Sequence, residues 1–301
     1  MHIGLITCEI LRREIKEVVR KSGVKEVFFV LPDTTNSVIT VRHQTVIDRF
    51  SSEFLEDGLA VKEKTLEKIA REIHERNLND SVIINVLELQ MHDYPEKLLV
   101  EIEDSIKRMG LVVDVIVLGY GLCGSSVGAM ERVLNEAPVP VVMPRDEKGE
   151  ILNNCIEIAL GRERVQALLN EEVGTFFMTP VGAALIKEPQ VILESSINII
   201  AGRMNRDAAA DTPQIIKILK NHYYRVVKIW YSKADMKERE YAQTVKNFAR
   251  KFNLEIKLVK GSSKIMCEIL NVVKVPSGLT DKRCSAPLTP KSRAPPAFPR
   301  T

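Results

Sequence analysis

The sequence "VDVIVLGYGLCGSSVGAM", Val113–Met130, joins an apolar run to a glycine-rich turn and then to a stretch that can form a helix. Gly119, Gly121 and Gly124 have the G-x-G-x-x-G spacing of a dinucleotide-binding turn, in which bare backbone approaches a pyrophosphate. The same turn carries Cys123, a thiol at the point where a strand opens into a loop. The stretch therefore indicates a strand–turn–helix unit whose turn either cradles a phosphate or presents a thiol.

This pattern of strand and helix recurs along almost the whole chain. The predicted strands are "HIGLITC", "EVFFVLP", "SVIINVLEL", "VDVIVLGY", "VPVVMP", "GTFFMTP", "RVVKIWYS" and "LEIKLVKG". The predicted helices between them include "LRREIKEVVRKSG", "VKEKTLEKIAREIHERN", "PEKLLVEIEDSIKRMG" and "CIEIALGRERVQALLNEE", whereas "DTTNSVITVRHQTVIDRFSSEFLEDG" fits neither period and is interpreted as an insertion. Apolar strands separated by amphipathic helices are typical of a parallel sheet covered on both faces. The sequence thus predicts a Rossmann-like α/β fold, with mostly parallel sheets flanked by helices and two lobes.

Changes in composition divide the chain into three parts. Residues 1–204 are predicted to form an N-terminal α/β domain that carries the functional site, and residues 205–276 a smaller C-terminal β–α lobe. Their boundary is placed near Met204 to Asp211, before the last two β–α units. Residues 277–301 are predicted to be a disordered tail, because clustered prolines and basic residues offer no apolar period to offset the entropy of ordering.

The charge distribution argues against a nucleic-acid partner. The net charge is +3, but residues 274–301 contain six basic residues and one acidic residue, which leaves 37 basic and 39 acidic residues in the remainder. The part predicted to fold is nearly neutral and lacks a basic footprint. No apolar run reaches the roughly 20 residues that span a bilayer, and the N-terminus lacks the basic segment of a secretory signal. We therefore expect a cytoplasmic protein without a membrane partner, and whether it forms a homo-oligomer stays open.

Three cysteines and one histidine follow the predicted strands at one edge of the sheet. Cys8 ends the first strand, His92 follows the third, Cys123 follows the fourth, and Cys155 begins the helix after the fifth. In a parallel sheet, the loops after the carboxyl ends of the strands open on one side, where ligands bind. Thiols and imidazoles suit zinc or another transition metal. These four residues are the predicted metal ligands, and the helix start predicts a lowered thiol pKa for Cys155.

The five cysteines do not indicate a disulfide framework, since their number is odd and they are widely spread in a chain without a secretory signal. Thiols of this kind serve more often as ligands or nucleophiles. Cys123 and Cys155, together with Tyr120 and Arg145 from the same loops, are the predicted catalytic residues.

A nucleotide-dependent enzyme is the alternative. In that case Gly119, Gly121 and Gly124 bind the pyrophosphate, and Asp146, about 20 residues beyond the last glycine, binds a ribose. Two features disfavour NAD(P): about three strands precede the turn, and Tyr120 and Cys123 place large side chains in a turn meant for bare backbone. A tight turn that needs glycine only for its dihedral angles is a third interpretation.

At these residues the sequence resembles an uncharacterised family, a domain of unknown function from methanogenic archaea, acetogens and some proteobacteria. The resemblance rests on "IGLITCEILRREI", "MHDYPEKL", "VIVLGYGLCGSSVGAM", "MPRDEKGEILNNCIEIALGRERV" and "GTFFMTP". Members are often encoded near corrinoid-dependent methyltransferases, which implies a role in methyl-group metabolism. The resemblance implies functional positions at Cys8, His92, Tyr120, Cys123, Arg145 and Cys155.

The chain departs from the family pattern at the motif before Cys155 and again after "GTFFMTP", where Val181 and Gly182 stand in place of the usual Gly-Trp. Asn153 and Asn154 stand where histidine and aspartate are expected, so a potential general base or ligand beside Cys155 is missing. We therefore expect a metal- or corrinoid-associated protein with a small-molecule or corrinoid-protein partner, acting either as a methyltransferase component or as a non-catalytic accessory protein. The D-x-H-x-x-G motif of corrinoid carriers is absent, which disfavours a carrier of that type.

Overall fold

The short apolar runs form strands, and the charged amphipathic stretches between them form helices. The computed structural model describes residues 1–32, 37–56, 58–87, 94–186 and 222–274. The strands are β1 (His2–Cys8), β2 (Val27–Leu31), β3 (Val61–Thr65), β4 (Ser81–Leu87), β5 (Val115–Gly119), β6 (Val141–Val142), β7 (Thr175–Met178), β8 (Arg225–Trp230) and β9 (Glu255–Lys260). The helices are α1 (Arg12–Ser22), α2 (Ser37–Glu56), α3 (Leu66–Glu75), α4 (Pro95–Met109), α5 (Val127–Asn135), α6 (Cys155–Leu160), α7 (Arg162–Glu171), α8 (Pro180–Ile186), α9 (Lys233–Lys237), α10 (Arg239–Phe252) and α11 (Lys264–Lys274).

The first six strands form one parallel sheet in the order β3-β2-β4-β1-β5-β6. Every residue of β4 and β5 is buried, as expected for central strands that are covered by helices on both faces. The predicted α/β class with a parallel sheet is confirmed.

The strand order creates a crevice at the carboxyl end of the sheet. β1 and β5 are neighbours, with Thr7 opposite Gly119, but the chain leaves β1 towards β2 on one side and leaves β5 towards β6 on the other. Right-handed crossovers in opposite directions place the following helices on opposite faces and leave a gap between the two loops. Cys8 and the glycine-rich turn stand at this gap.

A second parallel sheet has the order β7-β8-β9. β7 lies before the predicted domain boundary and pairs with β8 beyond it, while the boundary itself, near Met204 to Asp211, lies outside the described residues. The last helix, α11, packs against α1, and its Met266 and Leu270 are buried in the core of the first sheet. The predicted tail, 277–301, also lies outside the described residues.

Two local predictions are wrong. The residues "VKEKT", predicted as part of a helix, form β3, a half-buried edge strand whose alternating charges suit the edge of a sheet. The segment interpreted as an insertion contains α2, a 20-residue helix. Its Phe50 and Phe54 recur at helical spacing and pack edge-on against Phe29, with ring centroids 6.0 and 5.5 Å away. None of the described helices is both long and apolar enough to cross a membrane.

Candidate thiol site

Two cysteines that lie 147 positions apart in the chain both lie at the carboxyl edge of the first sheet. Cys8 ends β1 and is 1% exposed, and Cys155 is the partly buried first residue of α6. The Cys8 thiol raises the pKa of the Cys155 thiol, so the two side chains lie near each other. Neither cysteine forms a disulfide bond. β1 and α6 thus hold a thiol pair at the crevice.

The glycine-rich turn adds Cys123 to this pair. The Leu122 and Cys123 N–H groups donate to the Leu152 and Asn153 carbonyls at 2.8 and 2.7 Å, so the turn is attached to the segment that leads into α6. Cys123 has a left-handed backbone, with φ of 47°, which is uncommon for a residue with a Cβ and is often found at functional positions. Its charge contributes to raising the pKa of the Cys155 thiol, which places the third sulfur within electrostatic range of the pair.

Tyr120 is buried beside all three thiols. It is 1% exposed at the start of the turn. Burial, followed by the charges of Cys8, Cys123 and Cys155, raises the pKa of its phenol well above the ordinary value. The structure therefore brings together four of the predicted site residues: Cys8, Tyr120, Cys123 and Cys155.

The expectation of a lowered pKa for Cys155 is wrong. Contact with the Cys8 thiol, then burial and the charges of Cys8, Cys123 and Glu14, raise its pKa well above the usual value. The helix start offers little compensation, because α6 has only six residues and Asn154 accepts hydrogen bonds from the Ile156 and Glu157 N–H groups. The Cys8 thiol therefore raises the pKa of Cys155 by more than the start of the short helix lowers it, because the first N–H groups of the helix are already hydrogen-bonded.

Asn153 and Asn154 have a structural role at this helix start. Asn154 is the N-cap residue, and the Asn153 amide donates to Glu157 Oε1 at 2.8 Å. Glu157 is buried and also accepts from the Asn153 N–H at 2.7 Å. The two asparagines thus hold the start of α6, where the resemblance placed a general base or ligand.

A carboxyl group that the sequence analysis missed lies near the thiols. Glu14, in the first turn of α1, is fully buried, and its Oε1 accepts a 2.5 Å hydrogen bond from the hydroxyl of Tyr231. Its Oε2 is buried and accepts no hydrogen bond from the described residues. Burial and the charge of Cys8 raise the pKa of Glu14 to about 7, although the Tyr231 bond opposes the shift. The sequence signal for Glu14 was its position among Leu11, Ile15 and Val18, which form a buried apolar stripe.

Tyr231 follows the end of β8, so the second sheet contributes to this site. Burial and the neighbouring Glu14 carboxylate raise the pKa of its phenol well above the ordinary value, and Cys155 adds to the effect. No local pattern could place it there, since Tyr231 is 217 positions from its partner Glu14.

The predicted metal site is only partly within the described residues. No three His, Cys, Asp or Glu side chains of the described ranges converge closely enough to hold a metal ion. His92, the fourth predicted ligand, belongs to 88–93 and lies outside those ranges. The described thiols of Cys8, Cys123 and Cys155 suit a thiophilic metal chemically.

Arg145 and Asp146 lie in the loop between β6 and α6. Arg145 is exposed and donates to the Gly149 carbonyl at 2.8 Å, and it pairs with Ile151 in an antiparallel bridge. Asp146 forms a 2.6 Å ion pair with Arg162 and accepts from the Lys148 N–H. The hydrogen bonds and the ion pair of these two side chains are thus formed with residues of the same loop and with Arg162.

The glycines of the turn have structural causes that involve no phosphate. A Cβ at Gly121 would lie 2.5 Å from the Asn154 nitrogen, and one at Gly119 would lie 2.9 Å from Thr7 Oγ1. Gly124 has a φ of 92° and would place a Cβ 2.7 Å from Pro95. The Leu122 and Cys123 N–H groups, which a phosphate would need, already donate to carbonyls of the chain.

The fold and the site define an α/β protein with a thiol cluster at the switch point of a parallel sheet. The chain belongs to the family described as protein of unknown function (DUF1638), whose model matches residues 86–270. The matched residues include the "GYGLCG" turn, the "NNC" start of α6 and the "GTFFMTP" strand, and they begin after Cys8. A comparison with curated proteins found no match.

Proposed function

We propose that the chain binds a thiophilic metal ion, such as zinc, through Cys8, Cys123 and Cys155 together with His92, and that this centre serves methyl-group metabolism. The observation that carries the proposal is that the end of β1, the glycine-rich turn and the start of α6 lie at the same edge of the first sheet and contribute one cysteine each. Thiolates are preferred ligands of such metals. A metal held by thiolates would activate a bound thiol or polarise a bound group.

The chain connectivity supports His92 as the additional ligand. Leu87, the last residue of β4, is paired with Cys8, so the chain leaves the sheet beside one thiol. The chain is described again from Tyr94, and the Pro95 ring lies against Gly124, next to Cys123. Three residues span at most about 10 Å. The described residues on either side of this segment thus lie beside Cys8 and Cys123.

The raised pKa of Cys155 sets a condition for metal binding. A thiol must lose its proton to become a ligand, so metal affinity should increase with pH. The buried Glu14 carboxyl lies near enough to influence the same thiol electrostatically.

The test is elemental analysis of the full chain, purified without oxygen or chelators. We expect about one metal ion per chain in the wild-type protein and a large loss in Cys123→Ser, which removes one ligand but keeps a similar volume. Cys267→Ser is the matched control, because Cys267 is a free, buried cysteine on α11. Equal metal in both variants, or a wild-type protein that neither contains nor takes up zinc, would contradict the proposal.

The role in methyl-group metabolism is supported by the motif resemblance and needs its own assay. A methylated corrinoid and a small thiol should be incubated with the metal-loaded protein while the visible spectrum is followed. We expect demethylation with the wild-type protein and not with Cys123→Ser. If metal binds and the spectrum does not change, the metal site stands and the methyl-transfer role is wrong.

A further inference from the structure

β9 is the edge strand of the second sheet and carries exposed apolar side chains. In the described part of the chain, β9 lies at the end of the order β7-β8-β9 and pairs with β8 alone. The β8 partner of Ile256 is Val226, which packs against α10 and is fully buried. Ile256 itself and Leu258, two positions further on the same face, are 39% and 53% exposed. The helix layer thus leaves the apolar side chains of the edge strand uncovered.

The backbone groups of these two residues point away from β8. The N–H groups of Glu255 and Gly261 donate to carbonyls at the two ends of β8, at 2.9 and 2.8 Å. Successive residues of a strand direct their N–H and C=O groups to opposite sides, so the groups of Ile256 and Leu258 face outward. A row of outward-facing backbone groups on an edge strand is a template for one more strand.

The charged residues of β9 leave this edge open. Lys257 is ion-paired with Glu171 of its own chain, and Lys260 Nζ lies 5.6 Å from the centre of the Trp230 ring. By contrast, the three central residues of β3, the edge strand of the first sheet, are all charged. Charged edges discourage pairing with another chain, whereas apolar edges favour it.

We propose that β9 pairs antiparallel with β9 of a second copy of the chain, so that the second sheets of the two copies become one continuous sheet. A two-fold axis through Ile256 places each Leu254 opposite Leu258 of the other copy, on the apolar face. On the opposite face, each Glu255 lies opposite Lys257 of the other copy. Apolar pairs and pairs of opposite charge both stabilise antiparallel strands. The strand is therefore complementary to itself in this register.

The neighbouring registers are less favourable. An axis through Lys257 places the two Lys257 side chains opposite each other, and like charges in that position are destabilising. An axis through Leu258 places Ile256 opposite Lys260. Dimerisation through β9 is independent of the proposed metal centre, because β9 carries none of its ligands.

Sedimentation velocity of the full chain over a dilution series measures the association. We expect the wild-type protein to reach twice the mass of one chain. Leu258→Lys should raise the dissociation constant of the dimer at least about tenfold, because it places a charge against Leu254 of the other copy. Val100→Lys is the matched control, since Val100 is 57% exposed on α4, and it should leave the dimer unchanged. Circular dichroism checks that each variant is folded.

Ile256→Cys tests the register. The two introduced cysteines would face each other across the axis, at the Cα separation of about 5.5 Å that a disulfide accepts. After mild oxidation, mass spectrometry of non-reduced peptides should find them linked. Leu258→Cys is the control, because its two copies would lie four positions apart along the paired strands, about 13 Å, and should not link.

Three results would overturn the proposal. The first is a wild-type protein that stays monomeric throughout the dilution series. The second is a Leu258→Lys dimer as tight as that of the wild type. The third is a link in Leu258→Cys that forms as readily as the link in Ile256→Cys.

Discussion

Single residues at the thiol site owe their chemistry to burial more than to their neighbours in sequence. Glu14 lies in a helix of charged residues, yet it is fully buried between the thiols and Tyr231. Cys155 begins a helix, yet contact with Cys8 raises its pKa. At this scale, the environment decides the protonation state.

The Glu14 carboxyl should make the protein less stable as the pH rises. Its pKa of about 7 in the folded protein lies above the ordinary 4.5, so the folded state holds its proton more tightly than the unfolded state. This contribution to the free energy of unfolding is fully present below about pH 4.5 and is lost as the pH rises through 7. The loss amounts to roughly 3 kcal/mol at most. Glu14→Gln cannot ionise but can still accept the hydrogen bond from Tyr231. Its free energy of unfolding should therefore lack this pH-dependent contribution.

The measurement is urea unfolding at pH 5 and at pH 8. The free energy of unfolding of Glu14→Gln, relative to that of the wild type, should be higher at pH 8 than at pH 5. Glu17→Gln, at the surface of the same helix in an ion pair with Arg20, is the control and should show no such change. An identical pH dependence of wild type and Glu14→Gln would refute the assignment.

Among the elements, the glycine-rich turn determines whether the site can form. Its N–H groups bind the segment before α6, and Gly121 permits the two backbones to touch. The G-x-G-x-x-G spacing thus has a packing cause.

Gly121→Ala should destabilise the protein by about 1–3 kcal/mol or more, because its Cβ would collide with backbone atoms that cannot rotate away. Gly128→Ala is the control. Gly128 lies in α5 with open space where a Cβ would stand, so alanine should stabilise the helix by about 0.5–1 kcal/mol. Chemical denaturation measures the change in unfolding free energy of both variants. Equal changes would show that the backbone does not approach Gly121 closely.

In the molecule as a whole, the second sheet is attached to the first at the thiol edge. Besides the Glu14–Tyr231 hydrogen bond, Arg13 of α1 forms a 3.0 Å ion pair with Asp235 of α9. Asp235 is buried and also accepts from the Tyr231 and Ser232 N–H groups at 3.0 and 2.9 Å. One carboxylate thus caps α9 and joins it to the first helix.

Asp235→Ala should cost at least about 2 kcal/mol of unfolding free energy, since it leaves buried N–H donors and the Arg13 guanidinium without this acceptor. Asp235→Asn keeps an oxygen acceptor and should cost less. Thermal and urea unfolding of the full chain provide the comparison. A loss of stability no larger for alanine than for asparagine would mean that the capping bonds contribute little.

The sequence by itself determined the α/β class, eight of the nine described strands and the thiols at one sheet edge. Strand periodicity, turn chemistry and the direction of parallel strands are local or general properties, so they can be read without the tertiary structure. It did not reveal β3, since the alternating charges of an edge strand resemble a helical surface. It also did not reveal α2, whose buried face includes Phe50 and Phe54. Only the tertiary structure decided that Cys8 lies near enough to Cys155 to raise its pKa, that Glu14 is buried and bonded to Tyr231, and that β7 pairs with β8. Each of these pairings joins residues far apart in the chain, and their energies depend on burial and contact that no short stretch of sequence contains.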